Sequence, residues 1–205
     1  MSVPLSSTTE LHRSEARRAQ ILGAAADCFR SHGFHGASIA QISKSAGMSA
    51  GHIYHYFENK EAIIAAIVAQ DLADLLALTA ELRSARDVKA AMIERAVEAV
   101  QEHLDPKTAG LQLEIVAEAA RNPGVADIVH AADEQCRDVL ADTLRTLRQA
   151  EGHRDSEATL SGMVEALAAM FEGLRIRTVR NPGLDRDALV RTFRRMVHDL
   201  LTQSP

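Results

Sequence analysis

The stretch Ser38–Lys60, SIAQISKSAGMSAGHIYHYFENK, constrains this chain more than any other. Ile39, Ile42 and Ala46 recur at i, i+3 and i+7, the apolar spacing of a helix. Ser38 stands where an N-cap is needed, and Gln41 three positions on completes a capping-box pattern. Gly47 follows at the place where a left-handed turn favours glycine. Ser49 is positioned to cap a second helix, on which Ile53 and Phe57 lie four apart and can both face the first helix. Asn59 is a plausible N-cap for a third. Ala50, Gly51, His52, Tyr54, His55 and Tyr56 fill the rest of the second helix, a polar and aromatic face that no core requires. Two short helices joined by a tight turn, the second with a polar outer face, form the helix-turn-helix that enters the DNA major groove.

The residue chemistry fits that use. The Ser38 hydroxyl and the first amides of its helix suit a phosphate, because helix N-termini favour anions. Tyr54 and Tyr56 can donate to phosphates or pack on sugars, and Lys60 offers a point charge at the next helix start. Gly51 permits close approach to the groove, while His52 and His55 have the reach for base edges. Phosphate contacts set position and base contacts set sequence preference.

The longer run Arg17–Ile67, RRAQILGAAADCFRSHGFHGASIAQISKSAGMSAGHIYHYFENKEAIIAAI, resembles the N-terminal domain of the TetR/AcrR family of transcriptional regulators. ILGAAADCFRSHGFHGAS matches the first helix and its exit, IAQISKSAGMS the second, IYHYFENKE the signature that follows, and an aliphatic helix comes next. The resemblance implies a phosphate-contacting role for Ser38. It implies groove-facing roles for Ala50, Gly51, His52 and His55, and backbone-contacting roles for Tyr54, Tyr56 and Lys60. Gly51 and His52 depart from the family's usual residues at their positions, which leaves base preference open but not the docking mode. The implied fold is all-α, with an N-terminal three-helix DNA-binding domain followed by a larger helical domain for effector binding and dimerisation. The corresponding division is a disordered tail over 1–13, a DNA-binding domain over 14–60 and the effector and dimerisation domain over 61–205.

Charge supports the division. The net charge of −5 conceals an asymmetry. Residues 1–60 carry 6 Lys and Arg against 4 Asp and Glu, leaving 17 against 24 for the remainder. The first segment is therefore +2 and the rest −7, and five of the nine histidines lie in the first segment. The basic footprint is local, and the acidic remainder discourages non-specific association elsewhere. An apolar content of 46% with only 3% aromatic residues suits packed helices. No run of roughly 18 apolar residues is present, so no membrane span is expected, and the N-terminus lacks an apolar signal core. The expected location is cytoplasmic. Cys28 and Cys136 make no disulfide framework and read as small buried hydrophobes.

Punctuation marks the later helices. One runs from Asn59 to about Leu82, with Ile63, Ile67, Leu72, Leu75 and Leu76 at helical spacing. Asp87, Asp105-Pro106, Asn122-Pro123, Ser156 and Asp185 each open another. Leu160, Met163, Val164, Leu167, Phe171 and Leu174 form one apolar stripe, and Leu189, Phe193, Met196, Val197 and Leu200 a second. In the resembled family the last two helices pack on their copies in a two-fold homodimer, although such stripes also suit the core of one protomer. A dimer answers a physical need, since one recognition helix reads too few base pairs for useful affinity and specificity.

The resemblance further implies a cavity for a small-molecule effector among the middle helices. Gln101, His103, Glu114, Glu118, His130, Cys136 and Arg175 are the candidate lining residues, being polar or reactive and near apolar helix faces. Aromatics after residue 60 are only Phe171 and Phe193, too few for a quaternary-ammonium cage, so an apolar or weakly polar effector is expected. The expected function is a ligand-responsive regulator, a repressor released from a pseudo-palindromic double-stranded DNA operator. An all-α enzyme and a helical interaction module without DNA binding are the competing classes. No catalytic constellation, cofactor motif or metal site is found; His52 and His55 lack a third ligand at suitable spacing.

Overall fold

The computed structural model describes residues 5–203, with side chains from His12 onward. Among the described residues the chain forms nine α-helices and no strand. The first four are α1 (Leu5–Gly36), α2 (Ile39–Ser45), α3 (Ala50–Tyr56) and α4 (Lys60–Ser84). The remainder are α5 (Val88–His103), α6 (Pro106–Ala119), α7 (Pro123–Ala150), α8 (Glu157–Arg180) and α9 (Arg186–Thr202).

Capping explains why the helices begin where they do. The side chains of Asn59, Asp87, Ser156 and Asp185 each accept the backbone N–H three residues on, at 2.8–3.1 Å. Asp105 and Asn122 accept earlier amides of helices that start with proline, whose missing N–H costs nothing there. Each such cap contributes about 1 kcal/mol.

The expected tail over 1–13 is described only in part. Its residues 1–4 lie outside the described residues, but from Leu5 the backbone already belongs to α1. Residues 5–22 contain neither glycine nor proline, so nothing breaks the helix there. The break comes at Gly33, whose φ of 71° a side chain would resist, and it turns the last residues of α1 toward α2.

One core sits under α1, α2, α3 and the start of α4, built from Ile21, Ala25, Phe29, Phe34, Ile42, Ile53, Phe57, Ile63 and Ile64. It does not close on itself, because Ile115 of α6 and Val125 of α7 complete it. A second core joins α5, α7, α8 and α9 through Ala96, Leu144, Leu160, Val164, Leu167 and Val197. The α8 stripe and much of the α9 stripe read from the sequence are thus spent inside the protomer. Leu160, Val164, Leu167, Leu174, Phe193 and Val197 are all buried. The large apolar side chains these two helices leave exposed are Ile176, Val179 and Met196.

Helix α4 is apolar enough by composition to cross a membrane, with a mean hydropathy of 1.8 over 18 residues. Its apolar length has another use here. Ile63, Ile64 and Ile67 enter the first core, and Leu75, Leu78 and Leu82 face a cavity.

Below the second core, Arg148 is wholly buried. It pairs with Asp155, one of the contacts being Nη2 to Oδ1 at 3.0 Å, and donates to the carbonyls of Leu200 and Gln203 at 2.7 and 3.0 Å. That cluster ties the end of α7 to the end of α9.

Candidate DNA interface and effector cavity

The α2–turn–α3 unit is held by local chemistry at both starts. Ser38 Oγ accepts the Gln41 N–H at 3.2 Å, and Gln41 Oε1 accepts the Ser38 N–H at 2.7 Å, so the capping box is complete. Gly47 carries the turn with φ of 64°. Ser49 Oγ accepts the His52 N–H at 3.2 Å to start α3. Gln20 of α1 donates to the Ala46 carbonyl at 2.7 Å, closing the other end of α2.

Ile53 and Phe57 are buried, so α3 can present only one face outward. Ala50, Gly51, His52 and His55 are exposed on it, and Tyr54 is 56% exposed. Tyr56 is half-buried and organises its neighbours. His52 stacks on its ring, with centroids 5.5 Å apart and planes at 11°, and His55 meets it edge-on at 5.2 Å. Two imidazoles are thereby ordered before any partner arrives.

Lys60 is engaged inside the protein. Its ammonium donates to the carbonyls of Phe34 at 2.7 Å and Ala37 at 2.9 Å, and lies 4.4 Å from the centre of the Phe34 ring. Two of its three donors are used within the protein, at the residues leading directly into Ser38. The same Phe34 peptide is held from the other side, where its N–H donates to Glu114 Oε1 of α6 at 2.5 Å.

The middle helices line a partly open cavity of about 290 Å³. Leu75, Leu78 and Leu82 of α4, Met92 and Ala96 of α5, Leu140 of α7, and Val164, Leu167 and Phe171 of α8 make it predominantly apolar. The size lies at the lower end of small-molecule sites. A wider groove of about 900 Å³ lies between the α4–α5 turn and the end of α7, but it is open. Its charged residues are largely paired with each other, Lys89 with Glu151 at 2.7 Å and Arg145 with Asp142.

Comparison with known proteins now bears on this geometry. Residues 21–67 match the bacterial regulatory proteins of the tetR family, and residues 85–202 match the C-terminal domain of BetI-type transcriptional repressors. The chain belongs to the TetR family. It is 30% identical to the HTH-type transcriptional regulator UidR of Escherichia coli K12 over 93% of this chain and 96% of that one. Salmonella enterica GusR superposes with a TM-score of 0.74 at 29% identity, covering 91% of this chain and 95% of GusR. A transcriptional regulator of Saccharomonospora viridis, solved in complex with choline, gives 0.67 at 26% identity, covering 93% and 97%. This TetR-family protein is thus a ligand-responsive, DNA-binding transcriptional regulator with the all-α architecture expected of one. The relatives are named as regulators rather than enzymes, and among the described residues no cluster of three metal-binding side chains occurs.

The seven effector candidates separate. His103 and Cys136 line the cavity, and Arg175 reaches it indirectly, donating through Nη2 to His103 Nε2 at 3.0 Å. Burial raises the Cys136 thiol pKa. Burial, and then the Arg175 charge, lower that of His103. Gln101 and His130 are exposed and line no part of the cavity, their helix faces being turned to solvent.

Glu114 and Glu118 are placed elsewhere altogether, at the junction of α6 with α1. Glu118 is fully buried. It accepts from Asn122 at 3.1 Å, and His35 Nε2 lies 3.0 Å from its other oxygen. Sequence spacing cannot reveal this placement, because their partners, Phe34 and His35, lie some eighty residues upstream. Separation in sequence likewise hid Arg83, whose Nε donates to Thr143 of α7 at 3.0 Å, and Gln112, whose Nε2 donates to Asp71 of α4 at 2.6 Å.

Proposed function

We propose that this regulator is a two-fold dimer that occupies a pseudo-palindromic operator as a repressor and leaves it when an effector fills the cavity. The reading treats 14–60 as the DNA-binding domain and 61–205 as the effector and dimerisation domain. The observation that carries it is α3. Its apolar side is fully buried, while its polar side, with the two ordered imidazoles of His52 and His55, faces solvent.

On this reading Ala50, Gly51, His52 and His55 meet base edges, and Ser38, Tyr54 and Tyr56 meet phosphate or sugar. Lys60 is moved from the contact set to a positioning role, since its ammonium already holds the carbonyls before Ser38. Two copies of α3 would sit about 34–36 Å apart on successive major grooves.

The dimer face is assigned to the outer sides of α8 and α9. Gly162, Ala166 and Ala169 are exposed at helical spacing ahead of Ile176, and Met196 is 45% exposed on α9. Small residues in such a row let helices approach closely. Size-exclusion with light scattering tests this: the protein runs as a dimer, and Ile176→Glu with Met196→Glu runs as a protomer.

The effector is apolar over most of its surface, as the lining requires. Choline, the ligand of the S. viridis regulator, fits poorly, because Phe171 is the only benzenoid ring in the cavity and a quaternary ammonium wants several. Release follows if the effector binds the DNA-competent and DNA-incompetent states with different affinity. A coupling of about 3 kcal/mol lowers DNA affinity about 150-fold. Gel shifts on the DNA upstream of its own gene, at several salt concentrations, test the whole scheme. A steep negative salt slope supports it. Binding without one, or no binding, defeats it.

A further inference from the structure

The cavity ends near a cation that the protein leaves half-satisfied. Arg175 has one hydrogen-bonded partner, the neutral side of His103, and its Nε is buried with none. Among the described residues no carboxylate lies within ion-pairing distance of it. Glu172 and Asp71 attract it only from farther away, and the Asp71 carboxylate is held by Gln112. The two arginines on the cavity wall are treated differently. Arg95 is neutralised by Glu98 and Glu102 at 3.2 and 2.5 Å, and Arg137 by Asp133 and Glu165 at 2.8 and 3.5 Å.

His103 fills the gap in front of Arg175. Its Nδ1 lies 2.8 Å from the Ala99 carbonyl and must be the donor there, which leaves Nε2 to accept from Arg175. Burial followed by the Arg175 charge lowers its pKa, so the ring is neutral at pH 7. A half-buried guanidinium served by one neutral acceptor, with its buried Nε–H unserved, is a costly arrangement unless something else completes it. A carboxylate would complete it, because its two oxygens match the guanidinium fork.

We propose that the effector is an organic acid with one carboxylate on an apolar body, and that its carboxylate displaces His103 as the acceptor of Arg175. The proposal rests on the reading of the cavity as the effector site and names the chemistry of that site. At about 30 Å³ per heavy atom, the volume share of a liquid water, the cavity holds about ten. The body lies along Leu78, Leu140, Leu167 and Phe171, and the imidazole of His103 rotates aside. Drawing Arg175 toward the cavity changes the field at Asp71, whose bond to Gln112 joins α4 to α6. Helix α6 in turn holds Phe34 through Glu114.

Calorimetric titration of the full chain with decanoate, decanol and decyltrimethylammonium, each below its micelle concentration, tests the proposal. Decanoate binds saturably at one per protomer and more tightly than the other two. Arg175→Gln weakens decanoate by on the order of tenfold to a hundredfold and leaves decanol unchanged. His103→Ala, which removes the competing acceptor, tightens decanoate, and this variant keeps the test open should Arg175→Gln fail to fold. Anisotropy on duplex from upstream of the gene shows release by decanoate. Equal binding of acid and alcohol, preference for the ammonium, or decanoate affinity indifferent to Arg175→Gln overturns the acid assignment while sparing the cavity. If none of the three probes binds and filling the cavity with Leu78→Trp leaves DNA affinity unchanged, the cavity reading itself falls.

Discussion

Phe34 and Glu114, eighty residues apart, are joined by a hydrogen bond from the Phe34 N–H to Glu114 Oε1 at 2.5 Å. The bond crosses from the exit of α1 to the middle of α6. It lies at the one glycine of α1 with a left-handed backbone, and a side chain at Gly33 would press on that same Glu114 oxygen at 3.2 Å. The joint therefore needs a kink, a free N–H and an acceptor oxygen at once. It makes α6, beside α4 and α7, an element that touches both the middle helices and the DNA-facing unit.

Glu114→Ala leaves the Phe34 N–H without its acceptor. The expected cost is about 1–3 kcal/mol of stability, with weaker DNA binding and a smaller response to effector. Glu114→Gln retains an acceptor oxygen and should recover most of the DNA affinity. Urea melts and anisotropy on both variants measure this; equal behaviour of Ala and wild type removes the joint from the mechanism.

Lys60→Met distinguishes positioning from phosphate contact. A lost phosphate contact lowers the salt slope by about 1 and weakens all sequences alike. A lost positioning residue weakens all sequences alike but leaves the slope where it was. The second outcome is expected, because the ammonium is already held by two carbonyls.

His52→Ala should change which operator bases are preferred, at about 1–3 kcal/mol of discrimination for the base concerned. Tyr56→Leu keeps the packing bulk but removes the ring on which His52 stacks. It should therefore blur the same preference more weakly. Selection from a randomised duplex pool reads both effects, and an unaltered consensus for His52→Ala contradicts the assignment.

Asp155→Ala strands the buried Arg148 cation and should cost about 3–5 kcal/mol. The pH dependence follows from the direction of the shift. Hydrogen bonding from Arg148 lowers the Asp155 pKa in the folded state, so the unfolded chain binds the proton more readily. Its contribution is complete above the ordinary carboxylate range, near pH 4, and is lost as pH falls through the depressed folded value. Acid-unfolding curves of wild type and variant should converge at low pH and separate above it.

Much of this protein was legible one segment at a time. The caps Ser38, Ser49, Asn59, Asp87, Asp105, Asn122, Ser156 and Asp185 all act within three residues of themselves, and every helix they announced is present. The helix-turn-helix was readable for the same reason, since its turn glycine and its two buried anchors, Ile53 and Phe57, lie within a few residues of one another. Residues whose partners are remote were not readable. Glu114 and Lys60 meet only at Phe34, Arg175 meets His103 across 72 residues, and the apolar stripes of α8 and α9 could have faced inward or toward a second copy. Hydrogen bonds to the local backbone and helical periodicity are encoded by spacing along the chain. Which charge finds which carbonyl, and which side of an apolar helix is covered, depends on how the helices stack, and only the tertiary structure decides that.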